Sequence, residues 1–141
     1  MSGVPESVAT MMAADRASAA LGIELVECRP GYARTAMRIG PDACNGHAIA
    51  HGGLIFTLAD TAFACACNSH GPATVAAGGE IVFVAPAHDG DVLEAEAVER
   101  VLFGRSGVYD VSVRRGEDVV AEFRGRSHRL ATRSARPGLA Q

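Results

Sequence analysis

Residues 54–67 read Leu-Ile-Phe-Thr-Leu-Ala-Asp-Thr-Ala-Phe-Ala-Cys-Ala-Cys and directly follow His51-Gly52-Gly53. This stretch is apolar over almost its whole length, which is typical of a helix buried in a protein core. Its only carboxyl group belongs to Asp60. An unpaired carboxylate is strongly disfavoured in an apolar interior, and aspartate is a mediocre residue for the middle of a helix. The stretch therefore predicts a core helix over about 53–69 with Asp60 as a candidate for chemistry. The alternative, that Asp60 caps a neighbouring element or pairs with an arginine, stays open.

The remaining sequence predicts a single domain over residues 1–141. We expect an N-terminal helix over about 5–20 and a loop over 41–50. Apolar alternation and turn residues predict six strands, at about 23–28, 33–39, 75–84, 92–101, 108–113 and 119–128. Short turns between consecutive strands favour an antiparallel sheet, and the helix at 53–69 is the one long apolar helix that can cover it. We therefore expect an α+β fold in which an antiparallel sheet wraps around this helix, with a frayed tail at 131–141.

Composition excludes several classes of function. The net charge is -3 and no run of basic residues occurs, so neither nucleic acid nor an anionic membrane is an expected partner. All 13 basic residues are arginine, which excludes a lysine nucleophile or Schiff base. We expect no signal peptide, because the first 20 residues lack a basic leader, and no segment reaches the ~18 apolar residues of a membrane span. We therefore expect a cytoplasmic protein whose four cysteines stay as thiols.

The start of the apolar helix is a second candidate for chemistry. The first amide N–H groups of a helix lack partners within it and carry the positive end of its dipole. Gly52 and Gly53 let a ligand approach this backbone closely, which suits a developing oxyanion. Gly52 and Asp60 are eight residues apart, or roughly 12 Å along a helix, too far to act on one reacting carbon. Antiparallel helices from two chains would solve this, with Asp60 of one subunit facing Gly52 of the other.

One face of the predicted helix is small and polar. Residues at three- and four-residue spacing form this stripe: Thr57, Asp60, Thr61, Ala64 and Asn68. The opposite face, which we expect against the sheet, carries Ile55, Leu58, Ala62, Phe63 and Ala66. The stripe suits a substrate groove that includes Thr61 and Asn68. A helix–helix dimer seam that favours small residues is the alternative.

A metal site is a weaker interpretation. Cys44, His47 and His51 have spacings of three and four residues, but Pro41 and Gly46 indicate a loop, and a fourth ligand is not evident. Cys44 has no neighbouring base in the sequence that would make it a nucleophile. We therefore expect neither a metal nor a cofactor.

Six segments together carry a resemblance to a known family. They are Asn45-Gly46-His47, His51-Gly52-Gly53, Leu-Ala-Asp-Thr-Ala-Phe-Ala at 58–64, Ala-Cys-Asn-Ser at 66–69, Gly-Val-Tyr-Asp-Val at 107–111 and Phe-Arg-Gly-Arg-Ser-His-Arg at 123–129. The chain resembles, over about residues 10–130, the phenylacetic-acid-degradation thioesterases of the hotdog-fold superfamily.

This resemblance implies a hotdog fold, dimers that pair into a homotetramer, and hydrolysis of acyl-CoA thioesters with aryl-acetyl groups favoured. By position, Asp60 matches the catalytic carboxylate and Gly52 the residue whose amide polarises the thioester carbonyl. Asn45 and His51 match the loop that shapes the site, and Thr61 lies next to the acid. CoA carries phosphates, for which Arg105 and Arg126 are the candidates; the alternative, that both only belong to solvated strand faces, stays open.

Other functions remain open at this level. Asp60 could activate water as a general base or attack the thioester itself. A thioesterase for short- or medium-chain acyl groups, and an acyl-CoA sensor without turnover, are alternatives. A hotdog hydratase is disfavoured because the acid is in mid-helix with no histidine one turn away.

Overall fold

The structure, a computed structural model, describes residues 3–131, so the predicted tail at 131–141 lies outside the described residues apart from Ala131. Its helices are α1 (Glu6–Ala14), α2 (Arg16–Ala20) and α3 (Gly52–Asn68). Its strands are β1 (Glu24–Arg29), β2 (Tyr32–Arg38), β3 (Thr74–Phe83), β4 (Val92–Phe103), β5 (Ser106–Arg115) and β6 (Asp118–Arg129). Of the helices within residues 3–131, none combines the length and the apolar character that crossing a membrane requires.

The expected N-terminal helix is wrong in one respect, because two short helices replace it. Asp15 separates them with an extended backbone, at φ -82° and ψ 91°. Its side chain accepts a hydrogen bond from the amide of Ser18 at 2.9 Å, which caps the start of α2. Aspartate is among the best N-cap residues, so a new helix begins here rather than the first one continuing.

All six strands form one antiparallel sheet, as expected, in the order β1-β2-β4-β5-β6-β3. Neighbouring strands in the sequence pair in three cases, β1 with β2, β4 with β5 and β5 with β6. β3 instead crosses to the far edge and pairs with β6. α3 therefore lies between β2 and β3 in the chain while it packs across the whole sheet.

The face of α3 expected against the sheet is buried, including Leu58, Ala62 and Phe63. The Phe63 ring lies 5.5 Å from the ring of Tyr109 and 5.8 Å from that of Phe123. Gly125 on β6 makes this packing possible, since a Cβ atom there would lie 2.8 Å from Phe63. The sheet thus closes tightly around the helix, and the helix that carries Asp60 has a fixed position in the core.

Candidate active site

α3 begins at a histidine cap. Nδ1 of His51 accepts a hydrogen bond from the amide of Gly53 at 3.1 Å, and its carbonyl accepts from the amides of Leu54 and Ile55 at 3.0 and 3.2 Å. The neutral ring therefore carries its proton on Nε2. The amide of Gly52 donates no hydrogen bond to any group within residues 3–131. One N–H at the positive end of the helix is left for a ligand.

A groove of about 550 Å³ opens beside this free amide. Asn45, Gly52 and Ile55 line it on one side, and residues 83–87 line it on the other. The Phe83 ring lies against Gly52 so closely that a Cβ atom at residue 52 would be 2.8 Å from the ring. A side chain at residue 52 would crowd this contact, which explains why the position carries glycine.

The loop before the helix is held by Asn45. Its Oδ1 accepts hydrogen bonds from the amides of His47 at 2.8 Å and Ile49 at 3.4 Å. Ala48 has φ 63°, a left-handed conformation that non-glycine residues seldom adopt. The loop then returns as the amide of Ala50 donates to the carbonyl of Ala87 at 2.7 Å. The backbone between Asn45 and the start of α3 is thereby ordered next to the groove.

Asp60 lies half-buried in the middle of α3. No group within residues 3–131 forms a hydrogen bond or an ion pair with its carboxyl group, so it neither caps an element nor pairs with an arginine of its own chain. Burial raises the pKa of Asp60, and the nearby negative charge of Asp15 raises it further. A carboxyl group that is unpaired and destabilised in its charged form is a candidate base or nucleophile.

Thr61 and Asn68 belong to the polar stripe but are buried and already bonded. The Thr61 hydroxyl lies 2.9 Å from the hydroxyl of Ser18 on α2. The Asn68 side-chain amide donates to the carbonyls of Ala64 and Thr74, and its oxygen accepts from the amide of Thr74, each at 2.9 Å. Asn68 thus joins the end of α3 to the start of β3. Because Thr61 and Asn68 are buried, the face of α3 that is open to a substrate is narrower than the polar stripe predicted from the sequence.

Arg105 and Arg126 lie apart from these groups and from each other. Arg105 is exposed in the β4–β5 turn and lines a cavity of about 80 Å³ together with Arg129. Arg126 is exposed on β6 and lines a groove beside Gly78. Neither arginine forms an ion pair with an acidic side chain of residues 3–131. Both guanidinium groups are therefore available to an anion.

The structure brings the predicted residues into two groups on α3 rather than one. Asn45, His51, Gly52 and Gly53 meet at the helix N-terminus, and Asp60 follows two turns later, roughly 12 Å along the axis. Within residues 3–131, no three histidine, cysteine, aspartate or glutamate side chains, the sequence candidates at Cys44, His47 and His51 included, are grouped to hold a metal ion.

Sequence reasoning missed two contributors to the site. One is Phe83, which lies in the unbroken apolar run Ile-Val-Phe-Val at 81–84 at the end of β3. This run is the sequence feature that could have indicated it. The other is Asp15, whose N-cap signal was present as an aspartate three residues before Ser18.

Comparison with known proteins identifies relatives of this chain. Residues 47–122 match the family model of the Thioesterase superfamily. The acyl-coenzyme A thioesterase PaaI of Escherichia coli (strain K12) is 44% identical over 117 residues, which are 82% of this chain and 84% of that protein.

Solved structures of PaaI proteins also match this chain. The E. coli PaaI protein from the phenylacetic acid degradation operon superimposes with a TM-score of 0.87 at 41% identity, over 89% of this chain and 92% of that chain. A mutant of the phenylacetic acid degradation protein PaaI from Thermus thermophilus gives a TM-score of 0.80 at 38% identity, over 82% of this chain and 100% of that chain. The expected hotdog fold is confirmed.

Proposed function

The chain belongs to the thioesterase superfamily and is an acyl-CoA thioesterase, and from this premise we propose that its substrates are aryl-acetyl-CoA thioesters of the phenylacetyl or hydroxyphenylacetyl type. The products are the free acid and CoA. The observation that carries thioester hydrolysis is the half-buried carboxyl group of Asp60, which has no partner within residues 3–131, on a helix whose first amide, that of Gly52, donates to no group of those residues. The similarity to a protein of a phenylacetic acid degradation operon supports the acyl group and a role in phenylacetate catabolism. A cytoplasmic location belongs to the same proposal.

The reaction needs one base or nucleophile and one oxyanion donor, because a thiolate leaves without strong acid assistance. As general base, Asp60 takes a proton from water, whose oxygen bonds to the thioester carbon. The amide of Gly52 donates to the carbonyl oxygen as it becomes negative. The carbon–sulfur bond then breaks, and CoA thiolate leaves and takes up a proton. As nucleophile, Asp60 bonds to the same carbon, the carbon–sulfur bond breaks and CoA thiolate leaves, and water then hydrolyses the resulting anhydride to the free acid and the Asp60 carboxyl group.

Two subunits supply each site in this proposal. The roughly 12 Å between Gly52 and Asp60 of one chain is too long for both to reach one carbonyl group. If α3 helices of two subunits run antiparallel across a two-fold axis, Asp60 of one faces Gly52 of the other. Pairing of two such dimers into a tetramer belongs to the same proposal.

The edge strand β3 supports such a dimer. It lies at the open end of the sheet order, and Val82, Phe83 and Val84 at its end are more than half exposed. A long, apolar, unpaired edge strand favours pairing with another chain. The opposite edge, β1, is shorter and carries Glu24, Glu27 and Arg29, which protect it from pairing. A second copy of the chain is therefore expected along β3, next to the groove at Gly52.

The remaining site residues bind the substrate in this proposal. Gly53 and His51 border the oxyanion donor, while Asn45 orders the loop along the groove. Thr61 and Asn68 fix the face of α3 along which the acyl group lies, through their bonds to α2 and β3. Arg105 and Arg126, which are exposed and have no acidic partner among residues 3–131, bind the phosphates of CoA.

Thiol release tests this function. Native protein and the Asp60→Asn variant are assayed with phenylacetyl-CoA, hydroxyphenylacetyl-CoA, and short- and medium-chain acyl-CoAs. We expect the aryl-acetyl esters to have the highest kcat/KM and the variant to lose at least about a hundredfold, or ~2.7 kcal/mol of transition-state stabilisation. Equal activity of both proteins would remove Asp60 from the chemistry. Binding without thiol release would instead indicate an acyl-CoA sensor.

Mixing two variants of low activity tests the two-subunit site. In a hybrid dimer of Asp60→Asn and Gly52→Ala subunits, one site has both native residues and the other has neither. Random reassociation makes about half of the dimers hybrids with one working site each, so about a quarter of native activity should return. If Gly52 and Asp60 of one chain acted together, every site would lack one residue and no activity would return.

A further inference from the structure

A second carboxylate is fixed against the helix that carries Asp60. Asp15, half-buried between α1 and α2, accepts hydrogen bonds from the amide of Ser18 at 2.9 Å and from its hydroxyl at 2.7 Å. The Ser18 hydroxyl is itself 2.9 Å from that of Thr61, the residue after Asp60. Ser18 and Thr61 are both buried. This chain of three side chains holds the Asp15 carboxylate on α3 rather than in solvent.

Nothing described on this chain neutralises the two carboxyl groups. Within residues 3–131, no arginine or histidine forms an ion pair with Asp15 or Asp60. Arg16, directly after Asp15, is exposed. The ionisable groups near the two carboxyl groups on α3 itself are thiols, and burial raises the pKa of Cys65 and of Cys67 to about 12. Burial also raises the pKa of Cys28, which lies behind Cys65 on β1. These thiols are uncharged at neutral pH, so within residues 3–131 Asp15 is the charge that acts on Asp60.

We propose that Asp15 is a positioning residue of the reaction, whose carboxylate is held by Ser18 and Thr61 so that a fixed negative charge lies beside the reacting carboxyl group of Asp60. A like charge disfavours the ionised form of a neighbouring carboxyl group. A general base works best when its proton affinity lies close to that required at the working pH. The break between α1 and α2 thus has a catalytic consequence as well as a structural one. This inference rests on the proposed role of Asp60 in thioester hydrolysis.

A purely structural role, capping α2, makes a different prediction. Asparagine caps helices as well as aspartate does, and its oxygen can still accept from the amide of Ser18. The Asp15→Asn variant therefore removes the charge and keeps the cap. Glu6→Gln is the matched control, because it removes an exposed negative charge from the first turn of α1. Both variants should fold like the native protein, and Asp15→Asn should melt no lower than it, because the cap is kept and the repulsion of Asp60 is removed.

The first readout is the pH profile of kcat/KM for phenylacetyl-CoA. Loss of the Asp15 charge lets Asp60 ionise at lower pH, so the acid limb of the profile moves to lower pH in Asp15→Asn. It stays in place in Glu6→Gln. An unmoved acid limb in Asp15→Asn, or equal movement in both variants, contradicts the proposal.

The second readout does not need turnover. Carboxyl ¹³C NMR of the native protein follows the titration of Asp60, whose signal is assigned by its absence in Asp60→Asn. Its midpoint should fall in Asp15→Asn, and also in Ser18→Ala, which releases the carboxylate while keeping its charge. A lower midpoint in a protein without thioesterase activity would support the coupling of Asp15 to Asp60 and contradict the proposed function. An unchanged midpoint in an active enzyme would reject the coupling and retain the function.

Discussion

Gly52→Ala tests the groove at the helix N-terminus, and its effects on stability and activity should diverge. The new Cβ atom would lie 2.8 Å from Cζ of Phe83, against the 3.5–4.0 Å of a normal carbon contact, so the ring must retreat by about 1 Å. Phe83 is 51% exposed and has room to do so. A shifted side chain costs about 0.5–1.5 kcal/mol, while alanine for glycine in a helix gains up to about 1 kcal/mol. The net change in the free energy of unfolding should be within about 1 kcal/mol.

Activity should nevertheless fall, because the methyl group and the displaced ring both lie at the amide that receives the oxyanion. We expect kcat/KM to drop by at least about tenfold, or ~1.4 kcal/mol. Gly125→Ala is the comparison, since its Cβ atom would also lie 2.8 Å from a phenylalanine ring, that of Phe63. Phe63 is only 1% exposed, so here overpacking should cost about 1–3 kcal/mol.

Urea denaturation and thiol release on the same samples measure both effects. Gly40→Ala serves as a control, because nothing lies within 4 Å of the added atom. Full activity of Gly52→Ala would refute the assignment of the oxyanion donor. Destabilisation equal to that of Gly125→Ala would refute the argument that an exposed ring absorbs the contact.

Three further predictions concern α3. Asp60→Asn should raise the free energy of unfolding, because burial raises the pKa of the native carboxyl group above its ordinary 3.8 and so penalises the folded state once the group is charged. In urea melts, this gain in the free energy of unfolding should be absent below pH 3.8. It should grow as the pH rises through the pKa of the folded state and stay constant above it. Phe63→Ala should cost about 3–5 kcal/mol in urea denaturation, and Phe103→Ala, at an exposed position, about 0.5 kcal/mol or less; similar losses would contradict the assigned core. Asn68→Ala should cost about 1–3 kcal/mol because the backbone groups of Thr74 lose their partner, whereas a raised KM with unchanged stability would indicate direct substrate contact.

Local sequence patterns were sufficient to predict those elements whose limits depend only on residues that are neighbours in the sequence. The apolar run at 54–67 predicted both ends of α3 to within one residue. The signals that set these ends, Gly52-Gly53 before the run and Gly71-Pro72 after it, lie next to the helix in the sequence. Alternation likewise located β4, whose Leu93, Ala95 and Ala97 are buried as expected. The two N-terminal helices were predicted as one because the apolar pattern continues across Asp15. The hydrogen bond from the Ser18 amide to Asp15, which separates them, is not visible in that pattern.

The sequence by itself determined the α+β class, the buried helix with its single acid, and the candidate oxyanion donor eight residues earlier. Those features follow from hydrophobic periodicity and from helix geometry, which are properties of one segment at a time. Only the tertiary structure decided that β3 crosses to the sheet edge, that Phe83 closes on Gly52, and that Asn68 is bonded to β3. It alone also showed that Asp60 has no partner among the described residues of its own chain while Asp15 stands beside α3. These facts depend on contacts between residues far apart in the chain, and no pattern within a single segment encodes them.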